Sequence, residues 1–270
     1  MGFRVSALAV VTFAALGLDA VGVWAAQPSS ILARLASHRA AYAMTFGQAR
    51  MGTGTVDARG AMLIEFKDVC DGWTTTQRVN LDLVNSDGDA IQTESNFTSW
   101  ESKDGKSYRF AVKNTNNGKT SDEYQGTASL TPAGGSAVYQ TQNKRFPLRA
   151  TTLFPTAHVA ELIQRAEGGA RSFFNTFFDG ATPDGMQEVN VVIGKRTGPS
   201  AKPESPLLAR PSWPIHVAYF NARDPKPDPD YEVGLRLYDN GVADAFVLDY
   251  GDFTVDANIE KIEALPPQSC

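Results

Sequence analysis

No basic stripe runs through these 270 residues, and the formal charge is only −5. That argues against nucleic acid as a partner, and the lack of a lysine-arginine cluster argues against anionic lipid. Histidine is scarce: His38, His158 and His216 are the only three. No two have a local spacing that seats a metal, so no metal site is expected. No Gly-x-Ser-x-Gly elbow is present for a serine hydrolase, and no glycine-rich phosphate loop follows a strand. Asn85, Asp87 and Asp89 begin like a calcium loop, but Ala90 stands where glycine is needed and Asn96 where glutamate is needed. No fixed-period repeat is present. These absences leave no catalytic residue and no cofactor to nominate.

Cysteine is rarest of all, with Cys70 in the first third and Cys270 as the last residue. Its meaning depends on the compartment. Met1-Gly2-Phe3-Arg4 gives a short basic start, Val5 to Leu18 is almost wholly apolar, and Val23-Trp24-Ala25 places small residues around a cleavage point. This pattern predicts a secretory signal peptide over residues 1–25. The apolar run is too short to span a bilayer comfortably, and no cysteine near the cut offers a lipid anchor. Cleavage leaves about 245 residues, enough for one all-β domain over residues 26–270. An exported chain with one cysteine pair is most simply oxidised, two free thiols being the alternative. If bonded, the pair encloses a loop of about 200 residues, for which chain entropy allows roughly 5 kcal/mol at most.

What the chain does have is alternation. Val79, Leu81 and Leu83 face one way and Asn80 and Asp82 the other, the mark of a half-buried strand. Tyr108, Phe110 and Val112 repeat it, as do Ile215, Val217 and Tyr219, then Val233, Leu235 and Leu237. Asn116-Asn117-Gly118 predicts a tight hairpin, and Asp239-Asn240-Gly241 another turn. Thr93 to Trp100 is mostly polar and is expected to be an exposed strand. Two helices are predicted. One opens at Ser29-Ser30 and carries Ile31, Leu35, Arg39 and Tyr42. The other runs from Pro155 with Thr156 as its cap, packs Val159, Leu162, Ile163 and Ala166, and stops at Gly168-Gly169. Thr197 to Pro211 reads as a surface loop, and Phe253 to Leu265 as a strand or a short helix. The fold class expected is mainly β: a large curved antiparallel sheet, open-barrel-like, with two short helices.

Asp68 and Asp71 beside Cys70, and Asp249 and Asp252 beside Tyr250, read as solvated turns, although a carboxylate pair for glycan hydrolysis stays open. Trp73, Trp100 and Trp213, with Phe173, Phe174, Phe177 and Phe178, read as core by default. Some of them would serve equally to line a concave surface for an acyl chain or a peptide.

Several short segments, in order, resemble the EipB-like cell-envelope integrity family over essentially the whole chain after residue 25. They are His38-Arg39-Ala40-Ala41-Tyr42, Cys70-Asp71-Gly72-Trp73 with Gln77-Arg78, and Asn143-Lys144-Arg145-Phe146-Pro147-Leu148. Leu153-Phe154-Pro155-Thr156-Ala157-His158 and the terminal cysteine complete the set. The resemblance implies a monomeric periplasmic protein with a spiral β-sheet and a Cys70–Cys270 disulfide. It also implies a non-enzymatic role in envelope integrity and a periplasmic tetratricopeptide-repeat partner. Trp100, Arg145 and Phe146 are the residues nominated for a partner or ligand surface, from exposed pattern alone. The rival expectations are a carrier of lipid or lipoprotein acyl chains and a carboxylate-dependent envelope hydrolase.

Overall fold

The alternating segments become strands of one continuous sheet in the computed structural model, which describes residues 31–50, 54–224, 226–266 and 268. The first arm of the sheet is β1 (His38–Ala49), β2 (Thr55–Val69), β3 (Gly72–Asn85), β4 (Ala90–Ser102) and β5 (Ser107–Asn116). It continues through β6 (Lys119–Thr131), β7 (Gly134–Tyr139) and β8 (Lys144–Leu148). The second arm is β9 (Thr152–Leu153), helix α1 (Pro155–Glu167), β10 (Ser172–Phe177), β11 (Gln187–Ile193) and β12 (Ser212–Asn221). It ends with β13 (Tyr231–Tyr238), β14 (Ala243–Asp249) and β15 (Phe253–Ala264). Neighbours in each arm pair antiparallel, except that β9 lies parallel to β10. The arms join where β1 pairs with β15, so the two ends of the sheet are β8 and β9, which adjoin in sequence.

Those ends are drawn together by aromatic burial. Tyr108, Phe110, Tyr139 and Phe146 of the first arm share one cluster with Phe154 and Phe178 of the second. Ring centroids lie 4.9 Å apart for Tyr108–Phe154 and 5.0 Å for Phe110–Tyr139, within the range where edge and offset contacts are favourable. Gly180 makes the closure possible. Its φ is +75°, and a Cβ there would overlap the ring of Phe110. The result is a rolled, nearly closed sheet, mainly β as expected.

The helix fills the roll. Ala160, Leu162, Ile163 and Ala166 pack against Phe173, Phe177, Val189, Val191, Trp213 and Ile215 of the second arm. It ends at Gly168 and Gly169 as predicted. Its start differs from the expectation. Phe154 is the N-cap and offers no side-chain bond, while Thr156 lies inside the helix. The cap comes from across the roll: Glu101 of β4 accepts from the amides of Thr156 at 2.7 Å and Ala157 at 3.0 Å. No local pattern announces a cap from 55 residues away.

The other expected helix is corrected. Its described part is a single turn at Ile31–Arg34, and β1 starts at His38, so His38 and Tyr42 are strand residues. Ala40, Tyr42 and Met44 are all buried, a period of two that outweighs the helical spacing of Ile31, Leu35 and Tyr42. The hairpin at Asn117-Gly118 has both residues at positive φ, as its sequence requires. Phe253–Ala264 is a strand, and the segment 197–211 carries a short helical turn at Pro206–Leu208.

Candidate functional site

The inner face of the roll is mostly solid. An apolar void of about 170 Å³ against it is bordered by Leu35, His38, Tyr42, Phe66, Val159 and Phe246. That is well below the roughly 300–1,000 Å³ typical of ligand pockets. Burial pushes the His38 imidazole below its ordinary pKa, partly offset by its contact with the Ala36 carbonyl at 2.7 Å. His158 is buried too, its pKa pushed down to about 4. The Glu101 carboxyl is only 2% exposed, and burial raises its pKa to about 7 against the pull of the two helix amides. Glu101 holds the start of the helix, while the Nε2 of His158 is buried with no hydrogen-bond partner.

A wider opening is a rim cleft of about 820 Å³. Phe177 at the end of β10, Tyr219 near the end of β12 and Tyr231 at the start of β13 line it, with Asp179, Asp184, Arg223, Asp224, Lys226 and Asp230 around them. The rings form a row across strands: Phe177–Tyr219 at 5.6 Å, Tyr219–Tyr231 at 6.1 Å and Tyr231–Tyr250 at 5.6 Å. Burial drives the Tyr219 and Tyr231 hydroxyls far above the ordinary tyrosine range, so both stay protonated donors. Burial likewise raises Asp179.

Three of the cleft's four carboxylates, Asp179, Asp224 and Asp230, are occupied in shaping it. Asp179 accepts from the Ala181 amide at 2.8 Å, and the hydroxyls of Tyr108 and Tyr139 donate to the carbonyls of Asp179 and Thr182. Asp230 accepts from the Asn221 amide at 3.0 Å and pairs with Lys226 at 3.7 Å. This is a fixed, aromatic-lined polar cleft, suited to holding a polar ligand or chain. Among the described residues no group of three His, Cys, Asp or Glu side chains could hold a metal ion.

Two of the three nominated surface residues share a face. Trp100 pairs with Arg109, Arg109 with Thr127, Thr127 with Val138 and Val138 with Arg145. Trp100 and Arg145 therefore stand in one cross-strand row on the outer face, four strands and about 19 Å apart. The Trp100 ring carries the Arg109 guanidinium 4.1 Å above it, and its Nε1 donates to Asp71. Arg145 is exposed and bonds Ser136. Phe146 is a correction: it points inward, is 6% exposed and packs on Tyr139, because alternation along β8 puts Phe146 and Leu148 in the core. The guanidinium of Arg223, which lines the cleft, lies 4.9 Å over its ring. No local sequence pattern announces the rim cleft, since its residues come from two separate stretches, 177–187 and 219–231.

Cys70 stands just after β2, at the turn into β3. No cysteine is free among the described residues. Cys270 and the signal segment 1–25 lie outside those residues. No helix among the described residues is long and apolar enough to cross a membrane.

Comparison with known proteins gives a consistent result. The model of the EipB-like family matches residues 30–266. The cell envelope integrity protein EipB of Brucella abortus (strain 2308) is 31% identical over 240 residues, covering 85% of this chain and 84% of that protein. Among solved structures, a β-barrel-like protein of a domain family of unknown function from Brucella abortus superposes with a TM-score of 0.79. It is 29% identical, and the match covers 86% of this chain and 99% of that one.

Proposed function

This chain belongs to the EipB-like family, and from that membership we propose that it supports cell envelope integrity from the periplasm, as a non-enzymatic protein that binds a tetratricopeptide-repeat partner. The observation that carries the binding reading is the division of labour in the roll. The interior is filled by α1 and aromatic rings, while the open features are a polar rim cleft and outward strand faces. Such a body offers surfaces rather than a reaction chamber. Three of the cleft's four carboxylates, Asp179, Asp224 and Asp230, are tied to backbone amides or a lysine, which weighs against the hydrolase reading. A void of about 170 Å³ weighs against an enclosed acyl chain.

The Cys70–Cys270 bridge belongs to this proposal. The Leu265 amide donates to the Ser37 carbonyl at 2.9 Å, and the Asp68 amide donates to the Ser37 hydroxyl at 2.8 Å. One residue thus ties the tail to the end of β2, two positions before Cys70. Five further residues reach as far as about 17 Å, ample to bring Cys270 to Cys70. The bridge would fasten the tail beside β1, where the two arms of the sheet meet.

Deleting the gene and restoring it on a plasmid tests the role. Cells lacking the protein are expected to become sensitive to detergent and other envelope stress, and the restored gene to reverse it. An unaltered envelope, or native mass spectrometry showing stoichiometric lipid in the purified protein, would overturn the reading.

A further inference from the structure

The rolled sheet has two ends, and only one is protected. At β8 the terminal strand carries Pro147, which has no amide hydrogen, with Lys144 and Arg145 exposed, devices that stop another strand from adding. At the other end β9 is two residues long and covers only Thr176 and Phe177 of β10. Among the described residues Ser172 to Asn175 have no strand on that side, a length of about 13 Å.

The direction of the main-chain groups there follows from two hydrogen bonds. The Ile193 amide donates to the Arg171 carbonyl, so Arg171 faces β11. The Phe178 amide donates to the Leu153 carbonyl, so Phe178 faces outward. Peptide groups alternate along a strand, which turns those of Ser172 and Phe174 to the open edge. Phe174 is also the most exposed large apolar residue described, at 78%. Beside it the side-chain Nδ2 and Oδ1 of Asn175 are both buried with no hydrogen-bond partner. Each such atom carries a free-energy cost that no group among the described residues relieves. The two residues line a groove of about 730 Å³ with Thr151, Leu153 and the ion pairs Arg149–Glu188 and Arg165–Glu161.

We propose that this edge of β10 receives an extended peptide strand from a binding partner. The occupant follows from the chemistry. Unpaired main-chain amide and carbonyl groups want another main chain. Phe174 supplies the apolar contact for a side chain of that strand. The inference deepens the partner-binding reading above and rests on it, by naming the surface and the form of the ligand.

The test uses the purified full mature chain and a phage-displayed library of random peptides, with no repeat protein present. Selected peptides are expected to slow hydrogen exchange at the Ser172 and Phe174 amides. Phe174→Pro, which removes one outward amide hydrogen, is expected to weaken them roughly tenfold, the worth of about one main-chain hydrogen bond. Phe174→Lys keeps the backbone and is expected to weaken them as well, with circular dichroism unchanged. The proposal is overturned if no peptide is enriched or if protection maps elsewhere. It is equally overturned if both variants bind like the parent, if the free chain already protects these amides, or if the edge pairs two copies of the chain. A repeat protein that still binds Phe174→Lys would sink this edge and leave the proposed function standing. Failure to recover any repeat protein with the parent would do the reverse.

Discussion

Glu101 gives the sharpest handle on how the roll is held. It supplies both acceptors for the first turn of α1, from a position 2% exposed, and burial lifts its pKa from 4.5 to about 7. Between those values the folded chain holds a proton at Glu101 that the unfolded chain has released. Stability from this group is therefore greatest below pH 4.5 and falls as pH rises towards 7. A shift of that size corresponds to about 3 kcal/mol. Replacement by glutamine keeps an acceptor at the same place and removes the titration. The difference in unfolding free energy, parent minus Glu101→Gln, should thus fall by about 3 kcal/mol between pH 4.5 and 7.5. The difference is the quantity to read, because His158 works the other way. Its pKa, lowered to about 4 by burial, makes stability rise with pH from 4 to 6.5, masking Glu101 in the parent alone. Urea titrations followed by fluorescence suit the purpose, since Trp73 and Trp213 are both buried. A difference that is flat with pH, or that rises, would refute the reasoning.

Gly180→Ala should cost about 2–4 kcal/mol, from the positive φ and from a methyl group forced into the Phe110 ring, read as a lower urea midpoint; an unchanged midpoint would mean the loop 178–182 is free to move away. Cys270→Ser should lower stability by up to about 5 kcal/mol and match the reduced parent, and a parent whose stability ignores reductant would remove the staple from the account.

The strands were legible because their alternation is undisturbed: residues 79–83, 108–112 and 233–237 each declare a buried face. Tyr42 was misassigned because Ile31, Leu35 and Tyr42 imitate a helical stripe, while the alanines at 40 and 41 carry little hydrophobic signal in either direction. Phe146 is nominated for the surface from the exposed pattern of its segment, yet alternation along β8 turns it inward onto Tyr139. The cap from Glu101 and the cleft of Phe177, Tyr219 and Tyr231 depend on closure of the roll. Closure is set by long-range aromatic packing, which no local window contains. The open edge at β10 was hidden for a related reason, since it exists only because β9 stops after two residues.

The most direct test of the central claim is to crosslink the tagged protein in intact cells, isolate it and identify what is joined to it. The account expects a periplasmic helical-repeat protein in a defined complex with one copy of this chain. Recovery of the chain alone, or joined only to lipid or to envelope glycan, would contradict it.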